Sequence, residues 1–214
     1  IKPSTGTQVH AVTPQSAGWK YVGFMVHDLA AGERLECCQS GRELCLVVLT
    51  GSATISVGKQ TWDKVGGRTS IFVDQPPGAV YVPAGETAVI VALDAIEMAV
   101  CSAPGQGLSG PARLIDPNTM SQEVRGEGTN TRYVRNILPE TEAADALLVV
   151  EVITPSGHWS SYPPHKHDRD ASPTETLLEE TYYHRLNPAS GYAHQRVYTD
   201  DRSLDETLSA EDRD

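Results

Sequence analysis

The segment "SSYPPHKHDRDASPTETLLEETYYHRLN", residues 160–187, gathers His165, His167, His184, Glu179 and Glu180 into one stretch of chain. Its prolines and acids argue against a continuous helix. His165 and His167 form an H-x-H pair. In extended backbone, side chains two residues apart leave the same face, so both imidazoles can reach one ion, whereas helical geometry would splay them. The preceding "YPP" favours extended or polyproline backbone and supports that reading. If Glu180 points inward in "LEETYYHRLN", alternation sends Tyr182 and His184 inward too and turns Glu179, Thr181 and Tyr183 the other way. Two imidazoles and a carboxylate suit zinc, iron or manganese with a position left for water or substrate. The competing reading is a solvated loop, with His184 a hydrogen-bonded core histidine. Spacing alone does not separate the two; a β-barrel setting favours the metal.

The elements that must position these residues are strands. From residue 20 to about 102, "YVGFMVHDL", "ELCLVVLTGSATISVG", "TSIFVD", "AVYVP", "AVIVALD" and "EMAVCS" alternate with Gly, Pro and Asp turns. Such short β-branched runs predict an all-β sandwich or barrel, with little helix. "LTGSATISVG" reads as a hairpin turning at Gly51-Ser52, and "QPPGAVYVPAGE" puts prolines at strand edges, where a missing N–H costs least. Residues 106–131, dense in Gly, Pro, Ser, Asn and Thr, read as a linker or long crossover. Strand signals resume in "RYVRNIL", "ALLVVEVITP", "TYYHRLN" and "YAHQRVYT". Two similar β domains are therefore expected, over residues 1–105 and 132–214.

Composition narrows the function classes. A formal net charge of -11 and a sequence pI near 5.0 oppose binding to a phosphate backbone, and no basic cluster compensates. The longest apolar run, "AVIVALDAIEMAVC" at 88–101, is broken by Asp94 and Glu97 and is too short to cross a bilayer. The first residues do not read as a secretory leader, so a cytoplasmic protein is the expectation. Cys37, Cys38, Cys45 and Cys101 lack CxxC spacing and are expected to be buried, reduced thiols without chemistry.

"WSSYPPHKHD", "LEETYYHR" and "QRVYTDDRSLDET" together resemble the 5-deoxy-glucuronate isomerase family of myo-inositol catabolism. This is a bicupin family related to 5-keto-4-deoxyuronate isomerase. These blocks cover about residues 159–207, and "GRELCLVVLTGSATI" and "NILPE" extend the resemblance weakly over the chain. It implies two jelly-roll barrels, a cytoplasmic isomerase of a small sugar acid, and a divalent metal, zinc first, with manganese or iron as alternatives. His165, His167 and the glutamate opening the next strand would be ligands, Glu180 by preference and Glu179 as the alternative. Twelve residues separate His167 from Glu180, more than is usual in a cupin, so a loop insertion is implied. The family takes a third histidine from a later strand, and the chain stops at "SAEDRD" where that strand is expected to begin. Hence the expectation that the second barrel continues beyond Asp214.

The implied reaction converts 5-deoxy-D-glucuronate to 2-deoxy-5-keto-D-gluconate, moving a proton between adjacent carbons through an enediolate. A divalent metal on the carbonyl and its neighbouring hydroxyl would stabilise the developing charge. Tyr182 and His184 are the candidate proton carriers, with Glu179 if the register is shifted. Arg196 is the first choice for the substrate carboxylate, with Tyr198 on its face; an outward arginine paired to a surface acid fits alternation equally well. "TDDRSLDET" reads as an acidic turn with local pairing of Asp200, Asp201 and Arg202. Glu43 opens a strand as a cupin glutamate would but has no imidazole partners, which suggests a vestige in a barrel that is structural or dimer-forming. Two rival readings are another metal-dependent cupin, such as a dioxygenase, and a sugar-binding cupin without catalysis.

Overall fold

A computed structural model of the chain describes residues 1–214. The strands are β1 (Gln8–Val12), β2 (Gly23–Leu29), β3 (Arg34–Cys37), β4 (Arg42–Val57), β5 (Gln60–Arg68), β6 (Gly78–Val82) and β7 (Ala88–Ala92). They continue as β8 (Ile96–Pro104), β9 (Arg113–Ile115), β10 (Gln122–Arg125), β11 (Arg132–Leu138), β12 (Val149–Ile153), β13 (Ala193–Tyr198) and β14 (Asp205–Ala210). The one α-helix is the single turn Pro14–Ala17, capped by Thr13, whose hydroxyl accepts from the Ser16 N–H. The all-β expectation holds. No helix is long and apolar enough to cross a membrane.

The long strand β4 is shared between two sheets. Its first part, Arg42–Thr50, pairs with β6 and β8 in the order β1-β2-β8-β4-β6-β9, and its second part, Gly51–Val57, pairs with β5 and β7, with β3 beyond β7. Every pairing is antiparallel. Leu44, Leu46, Val48, Ile55, Val57, Val80, Val82, Ile90, Met98 and Val100 fill the space between the sheets. This is the jelly-roll barrel expected of the first half.

Gly51 is a bend, not the hairpin turn expected there. It has φ +73°, ladder register shifts on either side of it, and a Cβ would collide with the Ala95 carbonyl. The true hairpin follows at Gly58-Lys59, between the paired Val57 and Gln60. "TSIFVD" is likewise no strand, since β5 ends at Arg68. Ser70 accepts from the Phe72 and Val73 N–H groups through its hydroxyl and carbonyl, closing a turn that leaves Phe72 exposed.

The sheet of β1, β2, β8, β4 and β6 is covered on both faces, which explains the unbroken burial of Glu43–Val48. Cys45, Val47, Ala79, Tyr81 and Ala99 point away from the barrel interior and pack on Met120, Ile137, Leu138 and Leu147. The three-stranded sheet β10-β11-β12 is thereby tied to the first barrel. Residues 106–131 carry β9, paired to β6, and β10, paired to β11. By packing, the chain divides into residues 6–180 and a smaller unit of residues 1–5 and 181–214. That division differs from the boundaries at 105 and 131 read from composition, because the shared core beneath β11 joins both sides of the polar stretch.

Within the larger unit, Glu43 is fully buried. Its carboxylate accepts from the Tyr81 hydroxyl (2.6 Å) and from the backbone N–H groups of Asp145, Ala146 and Leu147 (2.8, 2.7 and 2.7 Å). The residue expected to be a vestigial ligand is a clamp. Burial and the Glu43 bond push the Tyr81 phenol well above its ordinary range. Arg68 and Arg135, both buried, share Glu151: Arg68 spans its two oxygens at 3.1 and 2.5 Å, and Arg135 donates at 2.8 Å and also meets Asp74.

All four thiols are free. Cys37 and Cys45 are buried and Cys101 partly so, but Cys38 is exposed, because β3 ends at Cys37 and the next side chain leaves the sheet. Burial pushes the Cys37 thiol up to about 11 and the Cys101 thiol to about 12.

Candidate metal centre

The H-x-H pair behaves as extended geometry demands. The rings of His165 and His167 meet edge to face with centroids 5.2 Å apart. Glu180 joins them, its Oε1 3.5 Å from His167 Nε2, and one ligand atom from each residue lies within 4.8 Å of the others. Ligands about 2.1 Å from a tetrahedral ion stand about 3.4 Å apart, so the His167–Glu180 edge already fits and the wider spacing closes with a modest side-chain shift. The donor set, two neutral imidazole nitrogens and a carboxylate oxygen, suits a divalent transition metal and leaves coordination positions open. His165 and Glu180 are exposed and His167 is half-buried.

Neither ligand segment is a regular strand, contrary to the expectation of two ligand-bearing strands: residues 162–169 and 178–186 have no ladder partners. The loop between them does the positioning. It closes on itself through the Ala171–Glu175 bridge, and the Thr174 N–H donates to the Ala171 carbonyl. Glu175 accepts from the Asp168 and Arg169 N–H groups at 2.8 and 3.0 Å. It is therefore an internal brace and not a surplus solvent-facing acid.

Two further bonds fix His167. Its carbonyl accepts from the Leu178 N–H at 3.1 Å, and its Nδ1 lies 3.0 Å from the Thr176 carbonyl. A carbonyl only accepts, so Nδ1–H is the donor there, and Nε2 is the ring nitrogen turned toward Glu180. Glu179 faces away from the cluster, as alternation predicts for a ligand at Glu180. Its carboxylate instead accepts three backbone N–H bonds, from Lys20, Tyr21 and Val22, at 2.8, 2.8 and 3.0 Å. Nothing in the local sequence marks that destination.

Tyr182, His184, Arg196 and Tyr198 belong to the smaller unit. Tyr182 and His184 leave one face of the chain and stack at 6.3 Å with planes 20° apart. The expected strand "TYYHRLN" is no strand of a sheet; His184 is held by two backbone bonds, its N–H to the Asp214 carbonyl and its carbonyl from the Arg213 N–H. Arg196, on β13, is exposed and forked on Asp205, both bonds 2.8 Å. Tyr198 lies beneath two guanidinium groups, Arg196 at 5.3 Å and Arg202 at 3.9 Å. In the acidic turn, Asp201 accepts from the Ser203 N–H and from the hydroxyls of Thr199 and Ser203, which pulls its carboxyl down to about 2. Arg202 pairs with Asp205 at 3.2 Å.

The chain is 52% identical over 212 residues to the 5-deoxy-glucuronate isomerase of Geobacillus kaustophilus (strain HTA426), an alignment covering 99% of this chain and 76% of the relative. It is 44% identical over 202 residues to the 5-deoxy-glucuronate isomerase of Bacillus subtilis (strain 168), covering 94% and 74%. The crystal structure of an iolB-like protein from Salmonella typhimurium LT2 superposes with a TM-score of 0.96 at 46% identity, over 100% of this chain and 81% of that one. The family profile described as KduI/IolB matches residues 1–214, and with half-identical relatives along nearly its whole length the chain belongs to the KduI/IolB family.

Proposed function

We propose that this chain isomerises 5-deoxy-D-glucuronate to 2-deoxy-5-keto-D-gluconate in the cytoplasmic breakdown of myo-inositol, with a divalent ion, zinc first, held by His165, His167 and Glu180. The observation that carries the reading is the convergence of those three donors in a chain 52% identical to a 5-deoxy-glucuronate isomerase. A divalent ion held by His165, His167 and Glu180 would supply Lewis acidity to the aldehyde oxygen and the neighbouring hydroxyl. We assign the proton transfers to Tyr182 and His184: one carries the proton from the hydroxyl-bearing carbon to the former carbonyl carbon, and the other carries the hydroxyl proton to the former carbonyl oxygen, so that every proton of the aldose is found again in the ketose. Their shared face and ring stacking support a joint role. Arg196 and Tyr198 are assigned to the substrate carboxylate, with Arg196 exchanging Asp205 for it as a forked partner.

The test is turnover of 5-deoxy-D-glucuronate under anaerobic conditions, before and after chelation and after return of zinc, manganese or iron. Turnover should vanish on chelation, return with one of the metals, and fall by more than about 100-fold in His165→Ala and His167→Ala. Full turnover by the metal-free protein, or turnover only with oxygen uptake, refutes the proposal; the latter outcome is that of a dioxygenase.

A further inference from the structure

We propose that Glu179 is a positioning residue, which sets the Glu180 carboxylate in the metal centre by latching the chain to the backbone of residues 20–22. The inference rests on the assignment of Glu180 as a ligand. Adjacent residues in extended chain face opposite ways, so whatever fixes the rotation of Glu179 fixes that of Glu180.

The latch is built to fix rotation as well as place. Glu179 Oε1 accepts from the Lys20 N–H at 2.8 Å, while Oε2 accepts from Tyr21 at 2.8 Å and Val22 at 3.0 Å. Engaging both oxygens with three consecutive donors removes the freedom that one bond would leave, and the carboxylate charge strengthens each. The receiving segment is itself immobilised. The Arg42 guanidinium donates to the Tyr21 carbonyl, to the Ser102 carbonyl at 2.8 Å and to the Ser102 hydroxyl at 3.2 Å, binding residues 20–22 to β4 and β8 of the barrel. Gly23 permits that approach: a Cβ there would come within 2.6 Å of Ser102 Oγ and 3.2 Å of an Arg42 nitrogen.

On the other side of Glu179, the Leu178 N–H bonds the carbonyl of the ligand His167 at 3.1 Å. Glu180 thus follows directly on two anchors, one to its fellow ligand and one to the barrel. No sheet ladder passes through residues 178–180 to do the same work. Outer groups that orient metal ligands typically contribute about 10- to 100-fold in metal affinity.

The experiment measures zinc binding to the metal-free full chain by calorimetry, and the visible spectrum of the cobalt-loaded protein, in wild type, Glu179→Gln and Glu180→Gln. Glutamine keeps the size of Glu179 but presents an NH₂ group to one set of N–H donors. The expected result is zinc binding about 10- to 100-fold weaker in Glu179→Gln, with a cobalt spectrum displaced toward that of Glu180→Gln and secondary structure unchanged by circular dichroism. Wild-type affinity and spectrum in a folded Glu179→Gln overturn the inference while leaving the ligand assignment intact. Failure of wild type to bind zinc, or indifference of binding to Glu180→Gln, overturns the ligand assignment and the inference with it. If Glu179→Gln does not fold, Glu179→Asp, a methylene too short to reach all three amides, is read by the same two outcomes.

Discussion

Replacing Glu43 tests whether the first barrel keeps this carboxylate for chemistry or for structure. Four donors converge on it at 2.6–2.8 Å, and it has no exposed surface. In Glu43→Ala the Tyr81 hydroxyl and the Leu147 N–H lose their acceptor inside the core, whereas the amide of exposed Ala146 can turn to water. Two stranded donors at about 1–3 kcal/mol each give a loss of about 2–6 kcal/mol, before any cost of the cavity. Glu43→Gln is milder. If the amide oxygen keeps Ala146 and Leu147, its NH₂ can donate to Tyr81 but opposes the Asp145 N–H, for a loss of about 1.5–3 kcal/mol. Urea denaturation of both variants, and of Tyr81→Phe alone and combined with Glu43→Gln, measures these losses and the coupling between the two side chains. The midpoint should fall with the slope unchanged, and the double variant should lose less than the sum of the singles. A loss below about 0.5 kcal/mol in Glu43→Ala would refute the clamp.

Two further outcomes follow from burial and from hydrogen bonding to charge. With a disulfide reagent near pH 8, the native protein should react at Cys38, since burial holds Cys37 and Cys101 protonated and Cys45 is inaccessible, while denatured protein reacts at all four; rapid reaction of several thiols in the native state would contradict this. The carboxyl of Asp201 sits at about 2 when folded, below its ordinary value of about 3.9, so the stability it lends the Thr199–Leu204 turn is complete above about pH 4 and is lost as pH falls toward about 2. Amide signals of Ser203 followed by NMR should broaden or shift over that window, and Asp201→Asn should abolish the transition.

What the amino-acid sequence alone determined were the features set by local geometry. Side-chain alternation in extended backbone put His165 and His167 on one face, and the same rule separated Glu180 from Glu179 once one of them was taken as inward. β-branched runs between Gly and Pro marked β2, β4, β6, β7, β8, β11, β12 and β13, because steric preference and a half-buried face act on neighbours in sequence. The runs that misled were those whose fate depends on distant partners. Ile71, Phe72 and Val73 have strand composition but no strand to pair with, and Gly51 permits either a turn or a bend until Ala95 stands beside it. The tertiary structure alone decided where the acids go. Glu43 reaches amides 102–104 residues away and Glu179 amides 157–159 residues away. A carboxylate's acceptor capacity is the same in a ligand, a brace and a latch; only the donors that folding brings to it distinguish the three.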